Sequence, residues 1–286
     1  MTTAPDLTEL ARAARWAPVE PQDGARAALA AAGRSDTYGR LGELAVWWAG
    51  VRDDAAAPPP ARVVGLGVSS PVPDPAGVAV RRLAWEHPAA PADALAWGVA
   101  TADALVDEGT DLLLVAAPEL PGRRVLAAEL LGTDAVDALG WPVAVEGLVD
   151  DAGWMTDVVA LRDGLRAAKG LAGEPAALLD AVGSARLAAA AGLLLGSVAR
   201  RTPAVLDGAG AAAAGLLVRS LAWEAPDWWL VAPPTPEPLQ ERVLGVLRMT
   251  PLPGPVVDVE DGTGALLAVG LVGAAAALLA PDGTAP

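Results

Sequence analysis

Between Arg62 and Val259, short apolar runs alternate with longer stretches whose apolar residues recur every three or four positions. The short runs read as buried strands and the longer ones as helices, and this alternation marks a parallel sheet covered by helices. The pattern predicts strands at Arg62–Val68, Asp111–Ala116, Pro142–Val145, Ala204–Asp207, Trp228–Val231 and Val256–Val259. It predicts helices at Pro75–Trp85, Ala92–Glu108, Arg123–Leu131, Trp154–Ala168, Ala176–Val182, Ala185–Arg200, Ala209–Leu221 and Glu237–Leu247. Upstream, Leu7, Leu10, Ala11 and Ala14 have helical spacing, as do Leu41, Leu44, Ala45 and Trp48, and an Ala/Pro linker, Ala55–Ala61, follows them. Downstream, Leu266–Leu279 is almost wholly apolar and rich in Ala and Gly, which fits a helix packed on both sides. The expected fold class is α/β, with a mainly parallel, Rossmann-like sheet. Ligands of such sheets bind beyond the carboxyl ends of the strands. That puts Ala117–Arg124, Asp207–Gly210, Ala232–Pro238 and Glu260–Gly264 on one rim.

Composition narrows the chemistry. The 286 residues suit one large domain or two unequal ones. A net charge of −15 argues against a nucleic-acid partner. It leaves room for a small anionic substrate held by local backbone N–H groups. There is no cysteine, so disulfides and thiolate chemistry are excluded, and with His87 the only histidine a His-based metal site is not expected. No metal and no cofactor are called for. The start of the chain has no signal-peptide pattern, and the apolar run Ala265–Ala280 is shorter than the roughly 20 residues a membrane span needs. The expectation is a soluble, cytoplasmic protein without a membrane partner.

The densest candidate chemistry is Asp258-Val259-Glu260-Asp261-Gly262-Thr263-Gly264-Ala265, directly ahead of the apolar helix. Glycines let backbone approach a ligand, a helix start offers unpaired N–H groups, and a carboxylate takes a proton from what binds there. Asp261 also fits a plain helix cap. Arg123 and Arg124 open a predicted helix, where they either hold a phosphate or lie in solvent. Asp207-Gly208-Ala209-Gly210 after a strand is a weak phosphate-turn signal. His87 sits at the end of a predicted helix, and Trp228-Trp229 reads as core.

Asp261-Gly262-Thr263-Gly264-Ala265 resembles the Glu-Gly-Thr/Ser-Gly-Ala motif of the nicotinate-nucleotide:dimethylbenzimidazole phosphoribosyltransferases, which make the lower ligand of cobalamin. Further motifs are similar: Gly39-Arg40-Leu41, the Arg-x-Pro turn at Arg201-Thr202-Pro203, Leu206-Asp207-Gly208, Glu237-Pro238 and the Pro251-Leu252 pair. The similarity runs over residues 174–286 and a block at 38–50. The resemblance implies a small helical subdomain built from residues 1–60 and 265–286 around an α/β core of residues 61–264. It implies a dimer, either of identical chains or with an intact paralogue. It implies transfer of phosphoribosyl from nicotinate mononucleotide to dimethylbenzimidazole or a related aromatic base.

Asp261 falls where the family has its catalytic base, a Glu, and Glu260 is the substitute carboxylate beside it. Substrate contacts fall on Gly262, Thr263 and Gly264, and on Glu119, Gly122, Arg123 and Arg124, where the family has Gly-Glu-Met-Gly-Ile-Gly-Asn-Thr-Thr. The Asn-Thr-Thr donors are replaced here, and Asp157 stands where the family has Lys. Those departures support an alternative, a catalytically inactive relative that binds a ligand or partners an active subunit.

Overall fold

The protein is described from a computed structural model over residues 6–34, 37–118, 122–140, 150–256 and 259–280. At its centre is a five-stranded sheet of β1 (Val63–Leu66), β2 (Val80–Leu83), β3 (Leu112–Ala116), β4 (Ala204–Asp207) and β5 (Trp229–Val231). The strand order is β2-β1-β3-β4-β5, and every pairing is parallel. Helices cover both faces, so β1, β3 and β4 are buried along their whole length. This is why they read as continuous apolar runs instead of alternating ones.

The helices are α1 (Leu7–Ala13), α2 (Val19–Ala31), α3 (Gly39–Arg52), α4 (Pro91–Asp107), α5 (Gly122–Leu131), α6 (Ala135–Leu139), α7 (Asp151–Ala168), α8 (Pro175–Val182), α9 (Ala185–Ala199), α10 (Gly208–Leu221), α11 (Pro238–Leu247) and α12 (Thr263–Ala277). Helices from the two ends of the chain meet: α3 packs on α2 and on α12, and α12 also reaches β3 and β4.

Two predicted elements are corrected. Pro75–Trp85 is not a helix; it contains the edge strand β2. Gly77 turns the chain at φ +80°, and the Asp74 carboxylate accepts the Val80 N–H at 2.9 Å, which ends any helical ladder before it starts. The apolar positions of this short segment satisfy both periods, so spacing alone could not decide. Arg81 and Arg82 face outward and pair with Glu108 and Asp74, a charged edge that resists pairing with another chain. His87 consequently lies beyond a strand instead of at a helix end, in a ring cluster with Trp85 and Trp97.

The second correction is Val256–Val259. Val256 and Val259 are exposed and outside the sheet. The chain meets β5 through a hydrogen bond from Leu252 N–H to Val231 O (2.9 Å), but Pro251, Pro253 and Pro255 have no N–H to extend a ladder. The strand predicted at Pro142–Val145, the remainder of Val256–Val259 and the tail lie outside the described residues.

Helices α4 and α9 cross at glycine contacts. A Cβ on Gly192 would lie 2.1 Å from Leu95 O, and one on Gly98 would lie 2.1 Å from Ala189 O. A side chain at either position must separate the two backbones. Gly192→Val is therefore expected to lower stability by about 3 kcal/mol. Gly245 is exposed in α11 with nothing within 4 Å of an added Cβ, so Gly245→Ala should stabilise by about 0.5–1 kcal/mol. Urea denaturation of the two variants checks both signs.

Candidate functional site

The carboxyl ends of β3 and β4 gather three helix starts. β4 ends at Asp207, and α10 begins at the next residue, Gly208, with φ +82°. A Cβ on Gly208 would lie 2.5 Å from Glu260 Cδ, and one on Gly210 would lie 1.8 Å from Ala117 O. The first turn of α10 is thus pressed between the end of β3 and the Glu260 side chain, which only glycine allows. Ala209 N–H donates to Glu260 Oε1 at 2.8 Å.

Arg123 and Arg124, in the first turn of α5, are not solvated. Arg123 Nη1 pairs with Glu260 Oε2, and its Nη2 donates to Glu237 Oε2 at 3.0 Å. Arg124 donates from Nη2 to the same Glu237 oxygen at 3.3 Å and from Nη1 to Asp157 Oδ2 at 3.1 Å. The Glu237 and Glu260 side chains are each 7% exposed, and that of Arg123 is 12% exposed. Such charges persist in low dielectric because each is paired. Asp157 thus faces a guanidinium of its own chain.

Asp261 serves the start of α12. Its Oδ1 accepts the Thr263 N–H at 2.9 Å, and its carbonyl accepts the N–H groups of Ser69 (2.8 Å) and Ser70 (3.0 Å). Thr263 Oγ1 and Ser70 Oγ are 2.6 Å apart. Gly262, at φ +92°, leaves no room beside Val68, and a Cβ on Gly264 would lie 2.7 Å from Asp207 Oδ1. Gly122 is buried against the turn between α8 and α9, near Ser184 and Val182. Glu119 lies outside the described residues.

Asp207 is the residue that sequence reasoning underrated. It is buried, and its Oδ2 accepts the Ala265 N–H at 3.3 Å, tying β4 to α12. Desolvation, with the neighbouring charges of Glu260 and Asp261, pushes its pKa up to about 7, against the opposing hydrogen bonds from Ala265 and Gly262. Desolvation also raises the Glu260 pKa, offset in part by Arg123. The available signal was an acidic side chain as the last residue of an apolar strand, directly before a glycine.

A small cavity of about 10 Å³ opens between Arg123, Arg124, Ala209, Glu237 and Gln240. A larger one of about 380 Å³ lies by α3 and β5, against Trp47, Asp227, Trp229 and Arg248, and includes none of the predicted site residues. The chemistry is at the rim, where titratable groups and helix starts converge. Among the described residues, no group of three or more His, Cys, Asp or Glu is placed to hold a metal, and no helix is long and apolar enough to cross a membrane.

A carboxyl whose pKa rises on folding stabilises the fold while protonated. The contribution of Asp207 is fully present below its unfolded value of 3.8 and is lost as pH rises through about 7. Stability should therefore fall between pH 5 and pH 8, and Asp207→Asn should flatten that fall. Denaturant titrations at the two pH values, wild type against variant, measure it; an unchanged slope would show that Asp207 ionises normally.

The sequence profile of a phosphoribosyltransferase family matches residues 86–284. This reaches well upstream of residue 174, where the longer of the two stretches of motif similarity starts. A nicotinate-nucleotide–dimethylbenzimidazole phosphoribosyltransferase of Streptomyces avermitilis is 46% identical over 187 residues, covering 64% of this chain and 49% of the relative. The protein of that name from Streptomyces coelicolor is 40% identical over 187 residues, covering 64% and 51%. That from Mycobacterium avium is 37% identical over 194 residues, covering 67% and 54%. The chain spans about half the length of these curated relatives. A crystal structure of CobT from Thermus thermophilus superposes with a TM-score of 0.68 at 23% identity, over 96% of each chain, and so shares the fold. A second structure from that organism, of a nicotinate-nucleotide-dimethylbenzimidazole phosphoribosyltransferase, gives 0.70 at 22% identity over 91% and 95%. With the profile covering most of the chain and the parallel sheet in place, the chain belongs to the nicotinate-nucleotide:dimethylbenzimidazole phosphoribosyltransferase family.

Proposed function

We propose that this chain transfers the phosphoribosyl group of nicotinate mononucleotide to dimethylbenzimidazole or a related aromatic base, in the cytoplasm, as part of cobalamin synthesis. The observation that carries this reading is the convergence of Asp207, Glu260 and Asp261 with Arg123 and Arg124 at the starts of α5, α10 and α12. In the reaction, one azole nitrogen gives its proton to a carboxylate and the other attacks the ribosyl carbon. The bond to nicotinate breaks, and nicotinate leaves with the bonding electrons.

Asp261 is the base in this proposal. One of its oxygens is held by the Thr263 N–H, which fixes the orientation of the carboxylate. Glu260 has both oxygens committed, to Ala209 N–H and to Arg123, and instead sets the local field. Arg123 and Arg124 hold the phosphate, with Gly122 giving their helix its close seat, and Gly262, Thr263 and Gly264 shape the acceptor side. Glu119 stays with the substrate group on resemblance alone.

A second reading, an inactive subunit that partners an intact paralogue, has one observation in its favour. The arginine–glutamate cluster fills the rim and leaves a cavity of about 10 Å³.

Calorimetry with nicotinate mononucleotide, followed by a turnover assay with dimethylbenzimidazole, separates the two. Turnover that drops about 10²–10⁴-fold in Asp261→Ala but persists in Glu260→Ala supports the base assignment. An absence of binding at millimolar nucleotide removes the enzyme reading.

A dimer belongs to the same proposal. The exposed positions of α12, at Leu267, Gly270, Ala274 and Ala277, carry no polar side chain, as suits a face covered by a second copy. Light scattering should give twice the chain mass, falling in Leu267→Asp. A monomer mass at every concentration overturns it, and assembly only with an added paralogue selects the heterodimer.

A further inference from the structure

We propose that Arg123, Arg124 and Gln240 form a site for a phosphate monoester dianion that the chain's own Glu237 carboxylate occupies in this structure, so that the ligand binds by displacing Glu237. This rests on the transferase reading, because nicotinate mononucleotide carries such a group.

The donors around Glu237 outnumber what a carboxylate uses. Arg123 Nη2 and Arg124 Nη2 converge on one oxygen of Glu237, at 3.0 and 3.3 Å, and Arg124 Nε reaches the other at 3.4 Å. Two buried donors beside it, Arg123 Nε and Gln240 Nε2, have no partner among the described residues. Both side chains line the small cavity that Glu237 also lines. Buried donors are almost always satisfied, and leaving two unpaired in one place is costly. An acceptor with more oxygens than a carboxylate would use them, and a phosphate monoester has three terminal oxygens.

Gln240 faces this cavity for a structural reason. Its Oε1 accepts the Thr235 N–H at 3.3 Å and also meets Thr235 Oγ1. A backbone N–H needs an acceptor, so the amide oxygen is fixed on that side and the NH₂ on the other. The side chain is 3% exposed and so has little freedom to turn away. Arg123 and Arg124 stand in the first turn of α5, whose positive end favours a dianion over water.

Displacement is required by space. The cavity, at about 10 Å³, admits no more than a water-sized atom. Glu237 stands between Pro236 and Pro238 as the residue ahead of α11, so its backbone is fixed and its side chain is the part that swings. The phosphate affinity of the site is then set by an internal competitor, and removing that competitor's charge releases the site.

Calorimetry with inorganic phosphate tests this on wild type, Glu237→Gln, Glu237→Ala and the double variant Glu237→Gln/Gln240→Leu. Neutralising Glu237 should tighten phosphate binding about tenfold or more in both single variants, and Gln240→Leu should reverse most of the gain. Thermal melts confirm that each variant is folded. Phosphate affinity that is unchanged or weaker in both folded Glu237 variants overturns the site. So does a gain that Gln240→Leu leaves intact. The transferase reading fails separately: tighter phosphate binding in Glu237→Gln without turnover of the mononucleotide keeps the site and removes that reaction. Turnover with phosphate affinity insensitive to Glu237 does the reverse.

Discussion

The rim of this protein depends on burying charge only in pairs. Glu237, Glu260 and Arg123 come from three distant parts of the chain and are nearly excluded from water. An isolated ion so placed would cost far more than a domain's net stability allows. The two arginines and two glutamates therefore form one connected ionic network that joins the loops that carry them. Between them they tie the start of α5 to the start of α11, to the segment ahead of α12 and, through Ala209, to the first turn of α10. These ionic ties add to the backbone hydrogen bonds and close glycine contacts that hold the rim loops on the core.

Much of the fold was legible because it is written in local period. β1, β3 and β4 are buried on both faces and read as continuous apolar runs, and the helices around them show helical spacing. The misreadings came where local pattern is ambiguous or is overruled by hydrogen bonding. The apolar spacing around Val80 fitted a helix, but Asp74 and Gly77 commit the segment to an edge strand. The apolar residues at Val256 and Val259 fitted a strand, but both are exposed outside the sheet, and Pro251, Pro253 and Pro255 just upstream offer no N–H to carry the chain into the ladder beside β5.

The site was legible only where it is contiguous. The stretch Glu260–Gly264 announced itself through acid, glycine and the helix that follows. Both readings of Asp261 describe the same geometry, since a carboxylate that caps α12 is also one held at a fixed angle over the rim. The partnership of Arg123 with Glu237 and Glu260 spans more than a hundred positions, and no spacing rule connects them. Asp207 was hidden differently. Its sequence context marks only an acid at a strand end, and its raised pKa arises from burial beside Glu260 and Asp261, which only the folded chain brings about.

The substitution of donors at this rim has a chemical consequence. In the family motif that the chain resembles, small and uncharged groups stand where Arg123 and Arg124 stand here. Uncharged donors leave a site without net charge and need no counter-ion while it is empty. Guanidinium groups buried to the same depth must be neutralised at all times, which is what Glu237 and Glu260 do. A phosphate arriving here therefore meets a site whose charge is already balanced, and it gains only the difference between its own contacts and those of the carboxylate it replaces. The unpaired Arg123 Nε and Gln240 Nε2 make that difference favourable, because they are donors that Glu237 does not reach. A rim built in this way holds its shape without ligand through internal salt bridges, and it selects for ligands with more acceptor oxygens than a carboxylate has.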